Sequence, residues 1–385
     1  LVIGFINGMS NGFCIIIARY FGGNEQDNFQ KSVQFSIILS IITTVILTIA
    51  SILFLKPLLR LLNTPVDILD LSQSYISVIM LFCCVTFAYN LLSSILRAIG
   101  NSYISLYALI IASVLNVILD IFFVKTLNMG VRGAAFATVI AQGFSALFLL
   151  IYIAKYCPLL HINIRKFTIN WTILLELLTT GFSMAMMLVL TNIGTVILQG
   201  SINSFGTATI TGHTAARKFH DLCILPLGTI CTSSATFVSQ NYGARKYHRM
   251  RKSVRVCMVM AYISAFIVSG TLILFANPIY HLFTTDQVVV DIGVHMIRFL
   301  IPSYAIYVVI GILSGALRGS GRVLVPMILT CGGVCLLRII WLFVFVRSHP
   351  GIDSIMLSYP VSWIITAVLF VIYYFRRFPG MQKKK

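Results

Sequence analysis

The sequence predicts an all-α, polytopic membrane protein built as two helical bundles related by a parallel internal repeat. Three observations carry this. Of 385 residues, 58% are hydrophobic and only 10% charged, with a mean hydropathy of +0.96; a soluble domain cannot cover that much apolar surface with so few charges, so its solvent is lipid. Apolar stretches of about 20 residues recur along the whole chain, as helices crossing a core of about 30 Å require, and the alternating segments of about 10 residues typical of barrel strands are absent. Finally, a shift of 221 residues lays the chain on itself without a gap.

The repeat includes charges, prolines and glycines as well as apolar residues. Gly22 falls on Gly243, Lys31-Ser32-Val33 on Lys252-Ser253-Val254, and Phe54, Pro57 and Leu61 on Phe275, Pro278 and Leu282. LLSSILRAIG (91–100) falls on ILSGALRGSG (312–321), and Gly130 on Gly351. The offset covers six helices, an even number, so both copies enter the membrane in the same direction. Transporters commonly use this plan, with substrate between the halves.

Eleven spans are expected, at about 1–20, 33–55, 74–96, 103–124, 134–154, 173–200, 206–241, 254–276, 293–316, 323–347 and 353–375. On the third, Thr86, Asn90, Ser93 and Arg97 share one helical face. The fourth holds Asn116 and Asp120, four residues apart, with Ser113 extending their face. An aspartate there costs roughly 2.5–3.5 kcal/mol on insertion scales. Two readings stand open: a site inside the bundle, or a carboxylate near the outer end that reaches water or Lys125. On the fifth, Thr138, Gln142 and Ser145 form another polar face. Pointed at one another, these faces enclose the oxygens a hard cation or a titrating carboxylate needs. Cys157 to Asn170, with His161, Arg165 and Lys166, reads as a linker, giving a first lobe of 1–156, a linker of 157–171 and a second lobe of 172–385.

The sixth span starts near Glu176, read as a charge favoured by the helix dipole, and carries Asn192, Thr195 and Gln199, with Asn203 a turn later. This neutral stripe either lines a cavity or packs between helices. On the seventh, Arg217, Lys218, His220 and Asp221 are placed at the outer interface, snorkelling; a cavity role, or acid–base chemistry with His213 in a membrane enzyme, are the alternatives. Tyr304, Tyr307, Gly311 and Ser314 line a face of the ninth, where rings can stack on an organic cation or simply pack. On the tenth, Trp341 stands at the repeat position of Asp120. Pro226, Pro302, Pro326 and Pro360 fall within second-lobe spans, whereas Pro57 and Pro65 are assigned to a loop.

The net charge of +18 invites a nucleic-acid reading, which its distribution excludes. With the loop after the first span cytoplasmic, nineteen Lys and Arg lie on that side, Arg318 and Lys383–Lys385 among them, against five on the other. This is the positive-inside rule, and it puts the linker and C-terminus in the cytoplasm. The nine cysteines read as small buried hydrophobes. No cleavable signal peptide is recognisable. The repeat implies twelve spans, so the expectation is of a chain short of its first helix, by roughly 50 residues or more.

ARYFGG (18–23) repeated as SQNYGA (239–244), LRAIGN (96–101) with LRGSGR (317–322), NVILD (116–120) and GVRGAAFAT (130–138) together resemble the multidrug and toxic compound extrusion (MATE) family over essentially the whole chain. The resemblance implies twelve helices in two six-helix lobes and export of organic compounds driven by a proton or sodium gradient. It implies a first-lobe cation site at Asp120, Asn116, Thr138 and Asn90, with a further acidic partner on the first helix. The substrate cavity is expected at Asn192, Thr195, Gln199, Gln142, Tyr304 and Tyr307. The expected protein is a monomeric antiporter of the inner (plasma) membrane, exporting amphipathic, often cationic, compounds, with no catalytic residues and no cofactor beyond H+ or Na+. Two alternatives remain: a flippase for lipid-linked sugars, using Arg97, Arg217, Lys218, Arg298 and Arg338, and an integral-membrane enzyme.

Overall fold

The computed structural model describes residues 1–61, 66–161, 168–205, 207–281, 284–349 and 351–378. Pro65, Arg165, Lys166, Leu282 and Lys383–Lys385 lie outside these. The helices, in order, are α1 (Val2–Gly22), α2 (Gln26–Leu61), α3 (Val66–Leu81), α4 (Cys83–Ala98), α5 (Ser102–Asp120), α6 (Gly130–Tyr156), α7 (Trp171–Ile202), α8 (Thr207–Gly243), α9 (Tyr247–Leu274), α10 (Ala276–His281), α11 (Gln287–Leu300), α12 (Tyr304–Gly319), α13 (Leu324–Thr330), α14 (Leu337–Trp341) and α15 (Ile352–Arg377). Segments of π-helix extend α5 over Ile121–Thr126 and flank α14 over Cys331–Leu336 and Leu342–Val346. Among the described residues ten helices are long and apolar enough to cross a membrane, and α3 with α4, bent by 51°, make an eleventh. The third span is therefore broken at Phe82, where hydropathy alone reads one helix. Pro57 also departs from expectation, lying inside α2 rather than in a loop.

The repeat is visible in the backbone at the same offset. The bounds of α4 and α12 correspond residue for residue, and the π segment that follows Asp120 has its counterpart after Trp341. Asn24 and Arg245 both take left-handed φ, 56° and 55°, as do Gly100 and Gly321, 90° and 82°. At each of these turns a backbone N–H bonds a carbonyl five residues earlier: Glu25 to Tyr20, Lys246 to Asn241, Asn101 to Leu96 and Arg322 to Leu317. This is the Schellman closure of a helix end, which needs one residue at positive φ.

The chain divides into two compact units, Val2–Ala185 and Met186–Lys385, with Leu1 grouped with the second. In the first, Ile6, Phe13, Ile17, Phe87, Ile95, Leu149 and Leu177 form the core. Gly8 and Gly12 of α1 face Ala185 and Gly181 of α7, and a Cβ on Gly12 would lie 2.6 Å from the Gly181 Cα. Small residues four apart on both helices let the backbones meet, which supplies packing where lipid offers no hydrophobic drive. Asn170 caps α7, accepting from the N–H groups of Thr172 and Ile173. Outward, α2 exposes Ile41, Ile42, Val45, Ile46, Ile49 and Leu53, a lipid-facing stripe.

In the second unit, Leu227, Val238, Met250, Tyr280, Leu317, Trp363 and Phe370 are core. Gly311, Gly315 and Gly319 of α12 lie against Cys231 and Ala235 of α8, where a Cβ at Gly315 would come within 2.7 Å of the Cys231 carbonyl oxygen. Arg318, assigned to a cytoplasmic loop by charge counting, is buried at the end of α12 and donates from Nε to the Ser314 carbonyl at 3.2 Å. A helix end buried against its neighbours leaves carbonyls that a guanidinium can satisfy.

Candidate functional site

The amide–carboxylate pair of Asn116 and Asp120 sits where α5 passes into its π segment, a geometry that is uncommon and frequent at functional sites. Asn116 and Asp120 are half-buried, while Ser113, expected on their face, is exposed. Asn116 Nδ2 donates to Thr138 Oγ1 on α6 at 3.4 Å, and Thr138 Oγ1 donates to the Ala134 carbonyl at 3.0 Å. Asp120 Oδ1 is shielded from solvent and has no hydrogen-bond partner among the described residues. A buried carboxylate oxygen left so costs free energy that a bound proton or hard cation would recover. On α4, Asn90 donates to the Thr86 carbonyl at 2.8 Å, and Thr86 Oγ1 donates to Gln142 Oε1 on α6 at 2.7 Å. The structure thus brings Asn116 to Thr138, and Thr86 to Gln142, while Asn90 bonds its own helix. Ser145 donates to the Ala108 carbonyl at 2.9 Å.

Glu176 does not act as a solitary helix-start charge. It pairs with Arg19 of α1 and accepts from the Tyr20 hydroxyl at 2.9 Å. The glycine contacts between α1 and α7 bring these groups into reach, and sequence spacing holds no trace of them.

In the second unit, Asn192 is exposed, and Thr195 and Gln199 are half-buried. Thr195 Oγ1 donates to the Thr191 carbonyl at 3.1 Å, and Gln199 Nε2 to Asn203 Oδ1 at 3.0 Å, so the stripe is largely satisfied along its own helix. Tyr304 is buried with its hydroxyl against His220 Nδ1, and Tyr307 is half-buried with its ring 5.1 Å from that of Trp363. The cluster expected at the outer interface is split. Lys218 is exposed and Arg217 pairs with exposed Asp221 at 3.4 Å, but His220 turns inward to Tyr304, Tyr359 and Trp363, with centroid distances of 5.5, 6.1 and 6.5 Å. Consecutive charges on a helix point to different faces, so a cluster in sequence need not be one in space. Sequence reading missed Tyr359 and Trp363; their i, i+4 spacing beside Ser362 was the available signal.

Among the described residues no disulfide joins any of the nine cysteines. Among the described residues no three His, Cys, Asp or Glu side chains come together as a metal site.

The MatE family profile matches residues 1–122 and 183–344. The probable multidrug resistance protein YoeA of Bacillus subtilis (strain 168) is 23% identical over 384 residues, covering 97% of this chain and 82% of that protein. Among solved structures, a MOP superfamily transporter from Pyrococcus furiosus, described as having a binding pocket of reverse polarity, superposes with a TM-score of 0.94 at 22% identity, covering 100% of this chain and 86% of its own. The outward-facing conformation of a multidrug resistance MATE family transporter gives 0.93 at 22% identity, over 100% of this chain and 87% of its own.

Proposed function

Because the chain belongs to the MatE family, we propose that it is a secondary-active efflux transporter of the inner (plasma) membrane, exchanging amphipathic, often cationic, organic compounds for H+ or Na+. The observation that carries this is the unpartnered, solvent-shielded oxygen of Asp120 beside the Asn116–Thr138 pair. The carboxylate supplies charge, and the Asn116 carbonyl and Thr138 hydroxyl supply neutral oxygens, a donor set suited to a hard monovalent cation or to a proton shared within the cluster. Taking up the ion removes the net charge of the site, which lowers the cost of keeping it in a low-dielectric bundle. The two forms then favour different packings, and the gradient biases between them. Asn192, Thr195, Gln199, Gln142 and Tyr307 are the proposed substrate contacts, Tyr304 being held by His220. The linker and C-terminus face the cytoplasm in this reading, on the charge asymmetry alone, and a single chain is the working unit.

The test is efflux from proteoliposomes under an imposed sodium gradient and, separately, a proton gradient. One of the two is expected to drive export of a cationic dye, and Asp120→Asn to stop it. Export independent of both gradients, or normal export by Asp120→Asn, overturns the proposal.

A further inference from the structure

The four acidic residues of the second unit, Asp221, Asp286, Asp291 and Asp353, are all exposed. Arg338, in contrast, is buried, with only 8% of its surface accessible. The described ion pairs of this unit are Arg217–Asp221 and His295–Asp353, so no carboxylate serves Arg338 among the described residues. Its Nη2 donates to Ser362 Oγ at 3.5 Å and its Cζ lies 3.9 Å from the centroid of the Tyr359 ring. Its Nε is shielded from solvent without a hydrogen-bond partner, and so is Nε1 of Trp363, which is 2% exposed and packs edge-on against Tyr359 at 5.7 Å. Tyr359 also borders a cavity of about 10 Å³, whose lining includes His213 with an unpartnered Nδ1.

A guanidinium and an indole N–H only donate, and arginine does not escape burial by losing its proton. A buried charge of this kind is retained where something compensates it. The repeat shows where this cluster lies in the fold. Subtracting 221 carries Tyr359 to Thr138, Trp363 to Gln142 and Tyr307 to Thr86, with Arg338 falling on Val117, beside Asn116. Even a contact is conserved: Thr86 bonds Gln142 in the first unit, and Tyr307 packs on Trp363 in the second. The place where the first unit pairs a hydroxyl with an amide thus holds two aromatic rings in the second, and Arg338 is buried beside them where the first unit has the exposed Val117.

We propose that Arg338, Trp363 and Ser362, walled by Tyr359 and Tyr307, form a binding site for a compact monovalent anion. Its occupant is a free halide or small carboxylate, or the carboxylate of an exported zwitterion. Of these, only the zwitterion as a source rests on the efflux reading, because binding itself requires no gradient.

The test uses the detergent-purified protein with Trp171→Phe and Trp341→Phe, which leaves Trp363 as the sole tryptophan. Chloride, then acetate, replaces gluconate at constant ionic strength while emission is followed. A saturable change is expected for both anions. Arg338→Met, of similar reach and without charge, should raise the half-saturating concentration by at least about tenfold, with folding checked by gel filtration. Arg338→Lys keeps the charge but loses the planar fork, and should shift it several-fold even if the methionine variant does not fold. A zwitterionic fluorescent compound and its methyl ester then separate the sources. Competition with chloride by the acid alone assigns the site to substrate, and competition by neither assigns it to a free anion. The absence of a saturable response, or equal half-saturation in wild type and in the folded Arg338 variants, overturns the site.

Discussion

The two units share a backbone plan and differ in what they place on it. At one offset their helix ends, left-handed turns and a π segment coincide, yet Asp120 faces Trp341 across the repeat, and Asn90 faces Gly311. Where the first unit inserts an amide, the second draws α12 onto α8 through glycine. Backbone turns and close helix contacts tolerate few residue types, so both copies keep them. A side chain that stands clear of those contacts tolerates many types, so the copies are free to differ there: Asp120 has Trp341 as its counterpart, and Arg338 has Val117. The lesson is that duplicated architecture does not imply duplicated chemistry.

The largest expected effect tests the acidic side. Asp120→Asn should reduce gradient-driven efflux to background at matched expression while membrane levels and thermal unfolding stay near wild type. The amide keeps size and hydrogen bonding but carries no charge for a cation and takes up no proton. Trp341→Asp should not restore transport to that variant, because Leu337, Tyr359 and Gly311 stand where Asn116, Thr138 and Asn90 would have to be. Rescue would erase the distinction between the units.

Next comes packing. Gly311→Asn gives the second unit the first unit's residue, but a Cβ there would lie 2.5 Å from Cys231 Sγ. Unfolding of the detergent-solubilised protein should show a loss of about 1–3 kcal/mol, the usual cost of overpacking. Gly12→Ala, which presses on Gly181, should cost a similar amount in the first unit. Equal stability of either variant would mean that the glycine contacts are looser than the geometry states.

Smaller effects separate substrate handling and surface charge. Asn192→Ala and Gln199→Ala should alter the ranking of exported compounds several-fold without uncoupling export from its gradient, read as efflux of a dye panel with and without an uncoupler. Glu176→Gln should weaken the Arg19–Tyr20 clasp by about 1 kcal/mol, the scale of a partly exposed pair, and the loss should shrink as salt rises. Smallest of all, Arg245→Gly should raise stability by up to about 1 kcal/mol, since arginine at positive φ carries a steric cost that glycine lacks, whereas Asn24→Gly should gain less because asparagine tolerates that region.

The spans, the repeat and the Asn116–Asp120 pair were legible in the chain because each rests on quantities local to it: hydropathy over about 20 residues, identity at one offset, and a spacing of four on a helix. Thr138 was legible for the same reason, as a hydroxyl on a periodic face. The break at Phe82 and the helical setting of Pro57 were not, because a kink depends on what neighbours offer the freed backbone groups. His220 and Arg338 show the deeper limit. Charge counting places a cationic residue by average cost, and here specific partners override the average: rings stack on His220 and cap Arg338, which no spacing within one helix encodes. Glu176 found Arg19 only because glycines let α1 and α7 touch. By itself the sequence determined the solvent, the approximate positions of the spans and the duplication, since these follow from transfer free energies and chain pattern. Which polar atoms are satisfied, and which are left without a hydrogen-bond partner, was decided by tertiary structure, because hydrogen bonding and desolvation are settled over a few ångströms between helices far apart in the chain.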